Sequence, residues 1–342
     1  MSTILSVIGA LILLSVLVTA HEFGHFFVGR KLGFDIVEFA VGMGPTLLKK
    51  ERNGIIYSLR AFPIGGMCRF FGEDEAARDS RCFNAHPAWK KILVVAAGPV
   101  MNLLFALLLS IITLTAYGNY MPAVDEVPET DSPAYQAGLR PGDILLKIDG
   151  KDIEFYNETA TMIRAIQDDQ TVITVSREGT RLDIPVTGLY NETLGYNYLG
   201  ITMTPTRIRY GFIGSIGQSF RYIGSIVRST FSFFGTLFRG QVQSTDVAGP
   251  VGTIAYISEA VRYGLETVLQ FAVLINVSLG IFNLLPIPAL DGGRLVFLIV
   301  EAVRGKPIDA EKEGMVHFIG LIALFALIIF LTYNDIMTLI RG

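Results

Sequence analysis

Four long apolar runs constrain this chain more than any other feature. They cover about 3–28, 91–117, 268–286 and 315–333, each close to or above the length of about 20 residues that crosses a bilayer core. Only 17% of the 342 residues are charged, and mean hydropathy is +0.48; a soluble domain carries about 25% charge. The expected fold class is therefore a polytopic α-helical membrane protein with about four transmembrane helices. The first run also has the look of a signal peptide ending at Ala20. It has no Lys or Arg ahead of its apolar stretch, and apolar character resumes at Phe26, Phe27 and Val28, so a retained span is expected. A net charge of -3 gives no basic surface for nucleic acid, and no nucleic-acid partner is expected. The two cysteines, Cys68 and Cys82, form no paired framework and read as free thiols.

Basic residues orient the spans. Arg30, Lys31, Lys49, Lys50, Arg52, Arg60, Lys90 and Lys91 lie between the first and second, and Arg304, Lys306 and Lys312 between the third and fourth. Both links are expected to face the cytoplasm. Both termini, and the long connection over 118–267, then lie on the extracytoplasmic side.

Inside the first run stands His21-Glu22-Phe23-Gly24-His25. On a helix the two histidines are four residues apart on one face, so both imidazoles can reach one metal ion. Glu22, on the same turn, can take a proton from a water that the metal activates. Ionisable groups among Ile12, Leu14, Val16 and Val18 are costly in a membrane and point to function by default. Imidazole ligands suit Zn2+, although iron or cobalt accept the same set.

A catalytic zinc usually takes a third protein ligand. His86 and His317 are the other histidines, but Asp291 is the better candidate. It lies in Asn283-Leu284-Leu285-Pro286-Ile287-Pro288-Ala289-Leu290-Asp291-Gly292-Gly293-Arg294, where two prolines break the third helix at membrane depth. Two other roles stay open for Asp291: a cap on a helix starting near Gly292, or a partner for Arg294.

Between the second and third spans, residues 121–205 read as a small β-rich domain. Ala137-Gly138-Leu139-Arg140-Pro141-Gly142-Asp143 is a turn cluster followed by alternating Ile144, Leu146 and Ile148. A helix is expected near 158–166, with strands at 172–175 and 182–186. Asn53-Gly54 marks a hairpin between 37–48 and 55–62, which by itself reads as an ordinary cytoplasmic loop. Residues 208–240 mix apolar residues with four arginines, a fifth, Arg207, bordering them, which disfavours a span and suits an amphipathic helix in the interface.

H-E-F-G-H in the first span, the turn cluster in the insert, and N-x-x-P-x-P-x-x-D-G-G after a broken third span together resemble the site-2 protease family, in particular bacterial zinc metalloproteases of the RseP type. Gly42-Met43-Gly44-Pro45, Pro63-Ile64-Gly65-Gly66, Gly98-Pro99-Val100-Met101-Asn102 and Ala248-Gly249-Pro250-Val251-Gly252 agree with it. The resemblance covers essentially the whole chain. It implies a zinc-dependent intramembrane protease in the inner (cytoplasmic) membrane that cuts transmembrane segments of single-span proteins, such as trimmed anti-sigma factors or remnant signal peptides. An upstream site-1-type protease would act first, and the lipid bilayer is the setting. His21, His25 and Asp291 would be metal ligands and Glu22 the base. Asn283 would hold the extended substrate, with Gly65, Gly66 and Pro286 as further substrate contacts, and 55–70 would be a membrane-associated β-loop. The insert is similar to a PDZ domain, a module that takes peptides by strand addition and in this family is thought to filter untrimmed substrate. There is room for one such domain, where familiar relatives carry two.

The expected organisation is thus 1–120 with two spans and the β-loop, 121–205 PDZ-like, 206–260 membrane-surface helices, and 261–342 with the last two spans. A membrane-anchored peptidase acting beside the bilayer, and a binding protein with a structural metal, are the alternatives. The first would not need the insert or the broken segment, and the second has no use for Glu22.

Overall fold

In the computed structural model the described residues are 3–73, 79–128, 130–154, 156–166, 168–192, 195–241 and 247–341. Among the described residues, four helices are long and apolar enough to cross a membrane: α1 (Thr3–Lys31), α2 (Ala88–Ala116), α7 (Leu265–Leu284) and, within α9 (Ala310–Arg341), the stretch Glu311–Thr338. At 1.5 Å per residue, α1 and α2, of 29 residues each, run about 43 Å, more than a hydrocarbon core of about 30 Å. These match the four runs expected from hydropathy, with ends shifted by a few residues; α7 starts three residues earlier and stops two short of the expected 286. Large apolar side chains on their surfaces, such as Ile12, Val16, Leu104, Leu108 and Phe325, are exposed, as lipid-facing positions of a span would be.

The chain divides into two compact units, 1–110 with 226–342, and 111–225. In the first, α1 and α2 approach at small residues. A Cβ on Gly24 would stand 2.2 Å from the Ala97 carbonyl oxygen, and one on Gly98 would stand 2.2 Å from His25 Nε2. Glycine at both positions is what lets α2 lie directly against the face of α1 that carries the histidines.

Strands β1 (Ile36–Arg52) and β2 (Ile55–Phe70) follow α1. Asn53 and Gly54 both have positive φ, as a tight hairpin turn requires. The register is doubled: residues 38–41 pair with 66–69 and also with 56–59, while 48–52 pair with 55–59. Residues 66–70 are thereby an outer strand, paired to β1 on one side, while on the other Glu22 and Glu73 accept the Cys68 and Phe70 N–H groups. Phe26, Phe34, Ile36, Ile55, Phe70, Phe83, Val94 and Leu298 form one buried cluster fixing this sheet to the helices.

The second unit is built on a six-stranded antiparallel sheet in the order β10-β3-β4-β6-β7, with β5 paired to β4. Its strands are β3 (Asn119–Glu126), β4 (Ile144–Ile148), β5 (Lys151–Asp152), β6 (Gln170–Arg177), β7 (Thr180–Thr187) and β10 (Thr202–Ile208), with the short pair β8 (Tyr190–Asn191) and β9 (Tyr196–Asn197) aside. Helices α3 (Pro133–Gln136) and α4 (Thr159–Arg164) accompany it. Leu145, Ile148, Ile173, Val175, Val186 and Leu189 form its core.

Residues 212–238 form one helix, α5 (Phe212–Phe238), with Phe212, Ile213, Phe220 and Phe231 exposed. Residues 242–246, inside the expected surface-helix stretch, lie outside the described residues. Helix α6 (Pro250–Tyr263) follows, and α8 (Asp291–Arg304) stands between α7 and α9.

Candidate active site

The site is assembled from three helices and one strand. His21, Glu22 and His25 come from α1, whose one-turn spacing sets both imidazoles on the face toward α2. Asp291 is the first residue of α8. Helix α7 ends at Leu284, two residues before Pro286, and 285–290 turn the chain back. Gly292 allows that reversal to close: a Cβ there would meet the Leu285 carbonyl oxygen at 2.0 Å. His317 Nδ1 accepts the Ala289 N–H at 3.0 Å, tying the turn to α9.

Three donor atoms converge. His21 Nε2 lies 3.0 Å from Asp291 Oδ2, His25 Nε2 lies 3.4 Å from the same oxygen, and the two Nε2 atoms are 3.2 Å apart. Donors about 2.0 Å from a tetrahedral zinc stand about 3.3 Å from one another, so the triangle is the size a zinc ion needs. His25 Nδ1 donates to the Val94 carbonyl at 2.9 Å, which leaves its Nε2 lone pair free. Asp291 Oδ2 is buried and receives no hydrogen bond; its close neighbours are the two ring nitrogens. Two imidazoles and an orphaned carboxylate oxygen fit the metal.

Glu22 stands beside this triangle. Its Oε2 accepts the backbone N–H of Cys68 at 2.9 Å, so the side of the outer strand turned away from β1 touches the carboxylate. A Cβ on Gly66 would reach Glu22 Cγ at 3.0 Å, which explains a small residue there. A cavity of about 390 Å³ is walled by His21, Glu22, His25, Gly66, Cys68, Asp291 and Arg294, among others. Burial, with Glu22 and Glu73 nearby, pushes the Cys68 thiol up, so it remains protonated at neutral pH. A second cavity of about 380 Å³ shares Glu73, Asp291 and Arg294 and reaches His317.

Arg294 does not pair with Asp291. Its guanidinium bonds Glu73 and stacks over Phe83. Nor is Asp291 a side-chain cap: the residue before α8 is Leu290. Gly66 belongs to the cavity wall, whereas Asn283, at the end of α7, and Gly65 and Pro286 are not among its lining residues. Sequence reasoning missed two neighbours. Asn102 is fully buried with its amide 3.2 Å from His21 Nδ1, and Gly98 leaves room for both rings. Both lie in the Gly98–Asn102 motif quoted for the resemblance, but spacing assigns them no contact.

Two imidazoles and a carboxylate closing on one point, with a second carboxylate at their side, define a metallohydrolase centre, and here both imidazoles and the second carboxylate sit on a helix apolar enough to span a bilayer. The chain belongs to peptidase family M50, the site-2 protease family: the family's model matches residues 9–327. It is a zinc metalloprotease. Among its relatives, zinc metalloprotease RasP of Shouchella clausii is 30% identical over 99% of this chain and 100% of its own. Atu1380 of Agrobacterium fabrum, provisionally named a zinc metalloprotease, is 32% identical over 96% of this chain and 95% of its own. CPE1693 of Clostridium perfringens, named in the same provisional way, is 33% identical over 97% and 98%.

Proposed function

We propose that this metalloprotease cuts the transmembrane segments of single-span proteins inside the bilayer. What chiefly supports the reading is the position of His21, Glu22 and His25 on a span-length helix, with Glu22 directly against the outer strand at 66–70. A peptide bond in a helix is shielded, and its carbonyl is already hydrogen-bonded. Substrate must unwind, and an unwound strand in a membrane needs partners for its backbone groups. Adding to the 66–70 edge supplies them through the backbone groups that Glu22 and Glu73 leave open. Gly66 lies on this edge; Asn283, Gly65 and Pro286 are assigned to substrate on the strength of the resemblance alone.

His21, His25 and Asp291 hold the metal. Bound there, zinc supplies Lewis acidity, polarising the scissile carbonyl and making water acidic enough to lose a proton near neutral pH. Glu22 accepts that proton on its carboxylate and returns it to the departing amine nitrogen. Its bond from the Cys68 N–H keeps the carboxylate turned to the cavity. The surrounding helices limit water to what the cavity admits.

The β-rich unit at 119–208 is read as a single PDZ domain, restricting access to substrate already trimmed by a site-1-type protease. The chain is placed in the inner membrane as a multi-pass protein, with basic links inside and both termini and the PDZ-like domain outside. Anti-sigma factors and remnant signal peptides are the candidate substrates for regulated intramembrane proteolysis. The test is mass mapping of products from a short-ectodomain, single-span reporter incubated with the purified protein. Cuts within the span support the reading. Cuts confined to the flanks would replace it with a peptidase acting beside the bilayer.

A further inference from the structure

We propose that the basic cavity at the end of α1 holds the phosphate of an anionic phospholipid. The cavity, of about 500 Å³, is lined by Arg30, Lys50, Arg52, Asn53 and Tyr57. It lies apart from the metal triangle and shares no lining residue with the catalytic cavity.

Its cations are gathered by the fold. Lys50 pairs with Tyr57 and Arg52 with Ile55, so these four share one face of the hairpin. That face is turned to α1, because Ile55 is buried in the cluster with Phe26, and the Tyr57 ring lies 6.1 Å from that of Phe26. Arg30 stands one helical turn beyond Phe26 and completes the cavity. Glu51, between the two hairpin cations, falls on the opposite face by strand alternation. Among the described residues, no ion pair joins Arg30, Lys50 or Arg52 to a carboxylate, whereas Arg60 and Arg69 on the same sheet are both paired to Glu38. Three exposed cations converge on one cavity without a counterion, and an anion entering it would meet all three at once.

The apolar part of the ligand is also accommodated. Ile12, Val16, Phe23 and Phe27 are exposed along one stripe of α1 that leads to Arg30. An acyl chain on that stripe brings a glycerophosphate headgroup to the cavity mouth at the level where the apolar run ends. Arginine binds phosphate oxygens in pairs, and Tyr57 and Asn53 add neutral donors. Basic pockets at the ends of spans are the general setting for anionic headgroups.

The test is native mass spectrometry of the full chain in mild detergent, titrated separately with phosphatidylglycerol and phosphatidylcholine. The variants are Lys50→Gln with Arg52→Gln, and a charge-matched control, Lys49→Gln with Lys306→Gln; all four side chains are exposed. The expected result is preferential retention of phosphatidylglycerol by the wild type and the control. The cavity variant should bind it on the order of tenfold more weakly, with zinc content unchanged. Equal retention by wild type and cavity variant, or equal loss in both variants, overturns the proposal. A competition arm with inorganic phosphate separates the sources. Displacement of the lipid at equimolar phosphate would make this a free-phosphate site and also overturn it.

Discussion

At His21 and His25 the chemistry turns on which ring nitrogen carries the proton. A metal on Nε2 requires the proton on Nδ1 and an acceptor to hold it. His25 has the Val94 carbonyl; His21 has Asn102, whose amide serves when its oxygen faces the ring. Asn102→Leu is therefore expected to weaken zinc binding about 10- to 100-fold, read by competition with a chelator, and Asn102→Asp to keep most of it. Gly98→Ala places a methyl group where the His25 ring stands, and zinc stoichiometry should fall well below that of wild type. The His pair and Glu22 were legible in the sequence because helical periodicity alone brings them together. Asn102 was not, since it meets His21 across 81 residues of chain by way of a helix contact that no local pattern encodes. Asp291 was legible as a candidate from the prolines before it, and its competing partner Arg294 was excluded only by geometry.

The elements that carry the site are held by buried charge. Lys91, on the first turn of α2, is 2% exposed and bonds both carboxylate oxygens of Glu301 on α8 at 2.8 Å. The pair fixes the helix that presents Asp291. Asp335 on α9 acts similarly on α6: its oxygens accept the N–H groups of Gly249 and Gly252 at 3.0 and 2.8 Å, so one helix supplies the N-cap of another. Helix N-termini carry unpaired donors that such a cap satisfies. Asp335→Ala should cost about 1–3 kcal/mol, seen as a lowered melting temperature in detergent and faster amide exchange at Gly252. Hydropathy made α1, α2, α7 and the span of α9 legible. The doubled register of β1 and β2 was not, although Asn53-Gly54 announced the hairpin, because which segment lies beside 38–41 is decided by the Phe26 cluster.

For the whole molecule, the response to acid is read most clearly in the β-rich unit. In the β-rich unit, burial opposes ionisation of Asp143, but two bonds from Arg177 and one from the Arg140 N–H hold its carboxyl below the usual range. A depressed carboxyl stabilises the fold above its unfolded pKa of about 3.9 and loses that contribution as pH falls through the folded value. Amide protection in β4 and β6 of the intact protein, taken against the intrinsic exchange rate at each pH, should therefore fall below about pH 4. In Asp143→Asn exchange should be faster than wild type at neutral pH, the difference closing in acid. Equal exchange in both proteins at neutral pH would show that the pair contributes nothing.

The central claim is that one carboxylate moves the proton while two imidazoles and another carboxylate hold the metal. Zinc content and reporter cleavage measured on the same preparation of Glu22→Gln test it most directly. The predicted result is zinc equal to wild type with cleavage reduced by at least about 100-fold. Cleavage near the wild-type rate with zinc intact would remove Glu22 from the reaction, and loss of zinc would make it a ligand instead.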